Sequence, residues 1–288
     1  MSAFLLKLVL TGSVLLLAGS NPAFVDSRVY RDEPMPPEIE WGTVPVPEEM
    51  TVTTSDGLAL HGYRWPARCD RHVALVFFHG NSGNRLTAAQ LAAPLRRDDV
   101  DLIVASYRGY GDNPGKPDEP GLYRDADAFL AAAKTGKPEK LYVFGFSLGG
   151  AVAIEAASRS GVDGIATLGA FISLRDAAPP IARPFVKKQY DNLAKAPALT
   201  FPWLILHGTH DEVIPLNHGE NLAKAAGERA LLVRLKGAPH SIALDQIADK
   251  VWSRLGMATL RGPMEIGDAT GSADEGNYLS QPARCREF

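Results

Sequence analysis

From residue 73 onward, short apolar runs alternate with longer segments of helical periodicity, which predicts strands and helices in alternation. The apolar runs at 73–78, 101–105, 141–146, 164–168, 201–207 and 230–235 read as strands of a sheet covered on both faces. Residues 85–96, 123–135, 216–226 and 241–254 read as helices, as does the small-residue segment that follows Ser147 (Ala151, Val152, Ala153, Ala156, Ala157). Ahead of them, residues 50–54 and 58–65 flank an Asp56-Gly57 step, the pattern of an antiparallel hairpin. The expected fold is α/β: a mostly parallel sheet with an N-terminal antiparallel hairpin and helices on both faces.

Residues 50–256 carry this pattern without a composition break and read as one domain. Within it, residues 171–200 are too long for an ordinary connection and are expected to form a short cap. Arg175, Pro179, Pro180, Arg183, Pro184, Lys187 and Lys188 make this segment polar and kinked, with Phe171, Ile181, Phe185 and Tyr190 as apolar anchors. Residues 21–49 contain Pro34, Pro36, Pro37, Pro45 and Pro47, which oppose helix and central strand alike, and read as a linker or a strap along the surface. Residues 1–20 combine Lys7 with an apolar core at 8–18 and small residues at Ala18, Gly19 and Ser20. They read as a signal peptide or an uncleaved membrane anchor, and either would export the body of the chain to a periplasmic, extracellular or membrane-anchored location. Ser20 stands where a lipoprotein box would have its cysteine, which argues against lipidation. The tail, 257–288, lacks periodicity and is expected to be disordered.

With 288 residues, 45% of them hydrophobic, the chain can bury a substantial core. A net charge of −3 with interspersed signs offers no basic face for nucleic acid, so no such partner is expected. Cys69 and Cys285 show no zinc spacing; a pair joining them would need an oxidising compartment and is not expected.

The candidate chemistry centres on Gly145-Phe-Ser-Leu-Gly149, between an apolar strand and a small-residue helix. That context suits a nucleophile elbow, in which a serine projects from a turn too sharp for neighbouring side chains. A helix cap would explain Ser147 alone, but not both glycines and the strand. A serine nucleophile needs a base and an acid that orients it, and in this topology they follow later strands in the order acid, then histidine. Asp211 lies past the strand that ends at His207, and His240 past the strand at 230–235. His207 and His210 compete as bases, Glu212 and Asp191 as acids, yet none falls at a matching loop end in that order. The first parallel strand runs into His79-Gly-Asn-Ser-Gly-Asn84, where backbone N–H groups can converge on an oxyanion. The hole is assigned to the N–H groups of Asn81 and Leu148. Ser82 lacks an elbow, and no phosphate-loop or dinucleotide fingerprint occurs.

Together with Tyr107-Arg-Gly-Tyr-Gly111, His207-Gly-Thr-His-Asp-Glu-Val-Ile-Pro215 and Gly237-Ala-Pro-His240, these stretches resemble the α/β-hydrolase superfamily. Within it, the chain is most similar to α/β-hydrolase-domain serine hydrolases related to protein depalmitoylases. The resemblance implies an α/β-hydrolase fold and cleavage of ester or thioester bonds in a small-molecule or acylated substrate; the alternatives are a non-catalytic binding or scaffold protein and an amidase or peptidase on the same fold. It assigns Ser147 as nucleophile, Asp211 as acid and His240 as base, with no metal or organic cofactor. Tyr107 to Gly111 would be structural or cleft-lining. Two positions depart from the pattern, Asn113 where Ser is expected and Pro239 where Gly is usual.

Overall fold

The computed structural model describes residues 27–69, 72–187 and 189–255. The expected signal peptide or anchor at 1–20, Lys188 and the tail at 257–288 lie outside the described residues. In chain order the strands are β1 (Arg31–Asp32), β2 (Glu48–Thr53), β3 (Ala59–Trp65), β4 (Val73–Phe78) and β5 (Ser82–Gly83). They continue with β6 (Val100–Ala105), β7 (Lys140–Phe146), β8 (Gly164–Leu168), β9 (Trp203–Gly208) and β10 (Ala230–Leu235). The longer helices are α1 (Arg85–Ala92), α2 (Glu119–Thr135), α3 (Leu148–Ser160), α4 (Asn217–Ala226) and α5 (Ala248–Leu255).

Eight strands form one sheet in the order β10-β9-β8-β7-β4-β6-β3-β2. From β10 to β6 every neighbour is parallel, and β3 and β2 add an antiparallel hairpin at one edge. The fold is the expected one: a mostly parallel sheet, helices on both faces and the α/β-hydrolase strand arrangement. The pleat divides each strand between two cores. In β4, Ala74, Val76 and Phe78 pack with Phe129 of α2, Ala153 of α3 and Leu222 of α4. Leu75 and Phe77 face the other way, toward Ala89 of α1 and Val251 of α5. All five are fully buried or nearly so, each stabilising the fold by roughly 1.5–3 kcal/mol for the larger side chains. That double-sided burial explains why the parallel strands read as unbroken apolar runs.

Helix boundaries differ from the periodicity in three places. α2 starts at Glu119, ahead of the expected residue 123, because Asp118 caps it by accepting from Gly121 N at 2.7 Å and Pro120 is tolerated in the first turn. α1 gives way after Ala92 to a 3₁₀ turn, Ala93–Leu95, since Pro94 cannot donate to a continuing helix. α5 begins only at Ala248, the preceding residues being a loop and a 3₁₀ turn at Leu244–Gln246.

The connection between β8 and β9, expected as a cap, is a chain of single turns at Leu174–Ala177, Arg183–Phe185, Asn192–Lys195 and Ala196–Ala198. Phe171 and Tyr190 anchor it in the core, whereas Ile181 is 65% exposed and anchors nothing. Cys69, expected to be unpaired, is half of a disulfide whose other half lies outside the described residues. Distance along a chain does not measure distance in space. Among the described residues no helix is long and apolar enough to cross a membrane.

The described part of the strap does more than run along the surface. β1 pairs in parallel with β5, Arg31 opposite Ser82 and Asp32 opposite Gly83. It thereby docks on the loop that follows β4.

Candidate active site

Because β4, β7, β9 and β10 run parallel, the loops at their carboxyl ends emerge on one edge of the sheet. Ser147 stands between β7 and α3 with φ +53° and ψ −115°, a conformation that costs a non-glycine residue on the order of 1–3 kcal/mol. Its side chain makes no capping hydrogen bond, so the helix-cap alternative does not hold. A Cβ on Gly145 would collide with the Gly149 carbonyl, and one on Gly149 with the carbonyl oxygens of Phe78 and His79. The two glycines let these backbones meet. Ser147 N donates to Leu168 O at 2.9 Å, fixing the turn to β8.

His240, past β10, reaches both of its expected neighbours. Its Nε2 lies 3.0 Å from Ser147 Oγ and its Nδ1 2.7 Å from Asp211 Oδ2. The geometry suits an Nδ1–H that donates to the carboxylate while Nε2 accepts from the serine hydroxyl. The other oxygen of Asp211 accepts from Val213 N at 3.0 Å and Ile214 N at 2.7 Å. Burial raises the Asp211 carboxyl, but hydrogen bonds from His207 and His240 outweigh it and hold the group well below the usual carboxylate range. Gly169, just past β8 with φ +61°, leaves room for the imidazole: a Cβ there would lie 3.0 Å from His240 Cε1 and Nδ1. The ring also rests against Phe146, centroids 5.3 Å apart.

The competing residues are placed elsewhere. His210 and Glu212 are exposed, and Asp191 caps the turn Asn192–Lys195. His207 is fully buried; its Nε2–H donates to Ile214 O at 2.8 Å and lies 3.4 Å from Asp211 Oδ2. It supports the acid rather than the serine.

The loop after β4 is fixed from within. His79 Nδ1–H donates to Gly80 O at 2.9 Å. Since that carbonyl and Asn81 N–H belong to one peptide plane and point oppositely, the contact aims the N–H. Burial lowers the His79 imidazole to about 4 against the opposing pull of that bond, so the ring is neutral at neutral pH. Tyr107 Oη donates to His79 O at 2.9 Å and Tyr110 Oη to Asn81 O at 3.0 Å. The Tyr107-to-Gly111 stretch is thus structural. A Cβ on Gly80 would lie 3.6 Å from Ser147 Cβ, which sets this loop directly beside the serine. Leu148 is the first residue of α3, where an N–H has no intrahelical acceptor. Asn113, one of the two departures, exchanges hydrogen bonds with the His61 backbone (2.7 and 3.1 Å), tying this turn to β3. Among the described residues no group of three or more His, Cys, Asp or Glu is placed to hold a metal ion.

Sequence reasoning missed the clearance at Gly169, the role of His79 in its own loop and the contact of His207 with Asp211. The glycine directly after an apolar strand was the one available signal for the first.

A family model described as alpha/beta hydrolase fold matches residues 73–187. An uncharacterized protein of Mycobacterium tuberculosis is 30% identical over 208 residues, covering 69% of this chain and 74% of its own length. Alpha/beta hydrolase domain-containing protein 17B of Xenopus tropicalis is 30% identical over 181 residues, 60% of this chain and 63% of that one. An esterase of Pyrococcus furiosus superposes with a TM-score of 0.62 at 17% identity, over 80% of this chain and 97% of its own, a likeness of fold. With the strand order, the elbow and these relatives in agreement, the chain belongs to the α/β-hydrolase family.

Proposed function

We propose that this protein is a serine hydrolase that cleaves carboxylic ester or thioester bonds through an acyl-enzyme. Ser147 Oγ attacks the carbonyl carbon while His240 Nε2 takes its proton. Asp211 holds the imidazole in the Nδ1–H tautomer and stabilises the imidazolium that forms. The N–H groups of Asn81 and Leu148 receive the oxyanion, each worth about 3–4 kcal/mol in a site of this kind. His240 then returns the proton to the leaving alcohol or thiol. Water, activated by the same base, releases the acid and restores Ser147.

The observation that carries this reading is the unbroken hydrogen-bonded line Ser147–His240–Asp211 beside a strained, glycine-flanked serine. The resemblance to depalmitoylase-related hydrolases extends it to acylated substrates, and residues 1–20 extend it to action outside the cytoplasm or at a membrane. Turnover of p-nitrophenyl esters of increasing acyl length, set beside acyl-thioesters, tests the chemistry. Ser147→Ala should abolish both turnover and fluorophosphonate labelling; normal turnover by that variant would overturn the assignment. Mass spectrometry of the mature N-terminus separates a cleaved signal from an anchor.

A further inference from the structure

The strap makes hydrogen bonds that the chemistry above does not require. Arg31 N donates to Asn81 O at 2.8 Å and Glu33 N to Gly83 O at 3.0 Å, extending the β1–β5 ladder along the loop beside Ser147. Asn84 Nδ2 donates to Pro34 O at 3.0 Å from the far end of the same loop. One residue before the ladder, Tyr30 is buried and its Oη lies 2.8 Å from Tyr190 Oη in the β8–β9 connection. Tyr190 is fully buried at φ +51° with its N–H on Glu119 Oε1, so this second anchor is itself fixed.

We propose that Tyr30 to Glu33 is a positioning element of the active site, holding the Asn81 peptide in register for the oxyanion and tying that loop to the β8–β9 connection. Asn81 sits between two peptide planes. His79 fixes the one that carries its N–H, through Gly80 O. The other is fixed at Asn81 O, where Arg31 N and Tyr110 Oη both donate. Removing the strap's donor leaves the second plane on Tyr110 Oη alone and loosens the Asn81 backbone through which that plane steadies the N–H. An oxyanion donor acts only when its aim is set before the charge develops, so small errors there are felt in turnover rather than in substrate binding. The element lies in a stretch whose prolines make it read as a linker, and it adds residues before 50 to the catalytic unit. This inference rests on the proposed function.

The test uses the full chain with two substitutions. Arg31→Pro removes the N–H that reaches Asn81 O, and Tyr30→Phe removes the hydroxyl shared with Tyr190. Turnover of p-nitrophenyl acetate is divided by the number of sites titrated with a fluorophosphonate probe, so unfolded material drops out. Per titrated site, Arg31→Pro should lower kcat between about ten- and a hundred-fold with KM changed less than about two-fold. Binding of a trifluoromethyl ketone, which forms the oxyanion, should weaken by the same factor. Tyr30→Phe should lower kcat about five-fold. A strap that only stabilises the fold would lower the melting temperature and the titratable fraction while leaving kcat per site and ketone affinity unchanged, and that result overturns the proposal. Should Arg31→Pro yield no titratable sites, Tyr30→Phe decides alone. Full activity in Ser147→Ala would instead remove the underlying reading of the site.

Discussion

The clearance at Gly169 gives a prediction in which two effects can be separated. Gly169→Ala places a methyl carbon 3.0 Å from two atoms of the His240 ring, where ordinary contact begins near 3.4 Å. The ring must therefore retreat by a few tenths of an ångström from a position that serves both Ser147 Oγ and Asp211 Oδ2. The substitution also forces alanine to adopt φ +61°, at about 1–2 kcal/mol. Gly161, the C-cap of α3, supplies the comparison: its φ is +59°, yet a Cβ there meets nothing within 4 Å. Gly161→Ala should carry the same backbone strain, lower the melting temperature by several degrees and leave kcat per active site unchanged. Gly169→Ala should lose comparable stability and, in addition, about ten-fold or more in kcat, since misplacing a catalytic group by about 1 Å costs on the order of a hundred-fold. Thermal unfolding and ester turnover on titrated enzyme measure the two quantities. Equal kcat in both variants, with the expected loss of stability, would refute the claim that the glycine is there for the histidine.

Three further outcomes follow from the geometry. Asp211→Asn keeps the shape of the acid but offers an N–H to His240 Nδ1, favouring the wrong tautomer; kcat should fall by about 10⁴ with a small change in KM, read by steady-state kinetics. His79 is neutral in the folded protein with its titration lowered from 6.5 to about 4, so the unfolded chain binds the extra proton between those values. The stability it confers is complete above pH 6.5 and is lost as pH falls toward 4. At about 1.4 kcal/mol per pH unit the loss reaches about 3 kcal/mol, and urea midpoints of His79→Asn should lack that slope. Arg108 donates through N at 2.9 Å and Nε at 2.8 Å to the fully buried Asp125. Arg108→Met should cost about 3–5 kcal/mol by leaving that buried carboxylate without its guanidinium, on the backbone N–H alone, whereas calorimetry showing a loss below about 1 kcal/mol would contradict the assignment.

The sheet, its hairpin and the residues that meet at its edge were legible because each leaves a local mark. Buried parallel strands are apolar throughout, Asp56-Gly57 marks a turn, and Ser147 carries its glycines beside it. Features that depend on two distant segments meeting leave no such mark. Nothing near Arg31 or Tyr30 announces Ser82 or Tyr190, because a backbone N–H and a tyrosine hydroxyl serve in any sequence. Helix ends were misjudged where residues act through position rather than type: Pro120 reads as a breaker until Asp118 makes it part of a first turn. Ile181 looked like an anchor because apolarity alone does not say which way a side chain faces. His207 is buried because every position of β9 is, whereas His210 is exposed in the turn beyond that strand.

Ser147 holds its φ of +53° only because β7, α3 and the backbone contacts of Gly149 leave it no alternative. Glycine at that position would keep the turn and shed the strain, so Ser147→Gly should be more stable than the parent while losing the proposed nucleophile. Selection for heat tolerance alone would therefore drift away from the serine. The residue is one the molecule keeps against its own thermodynamic interest, and a library screened only for stability should reveal it as a position readily surrendered to glycine.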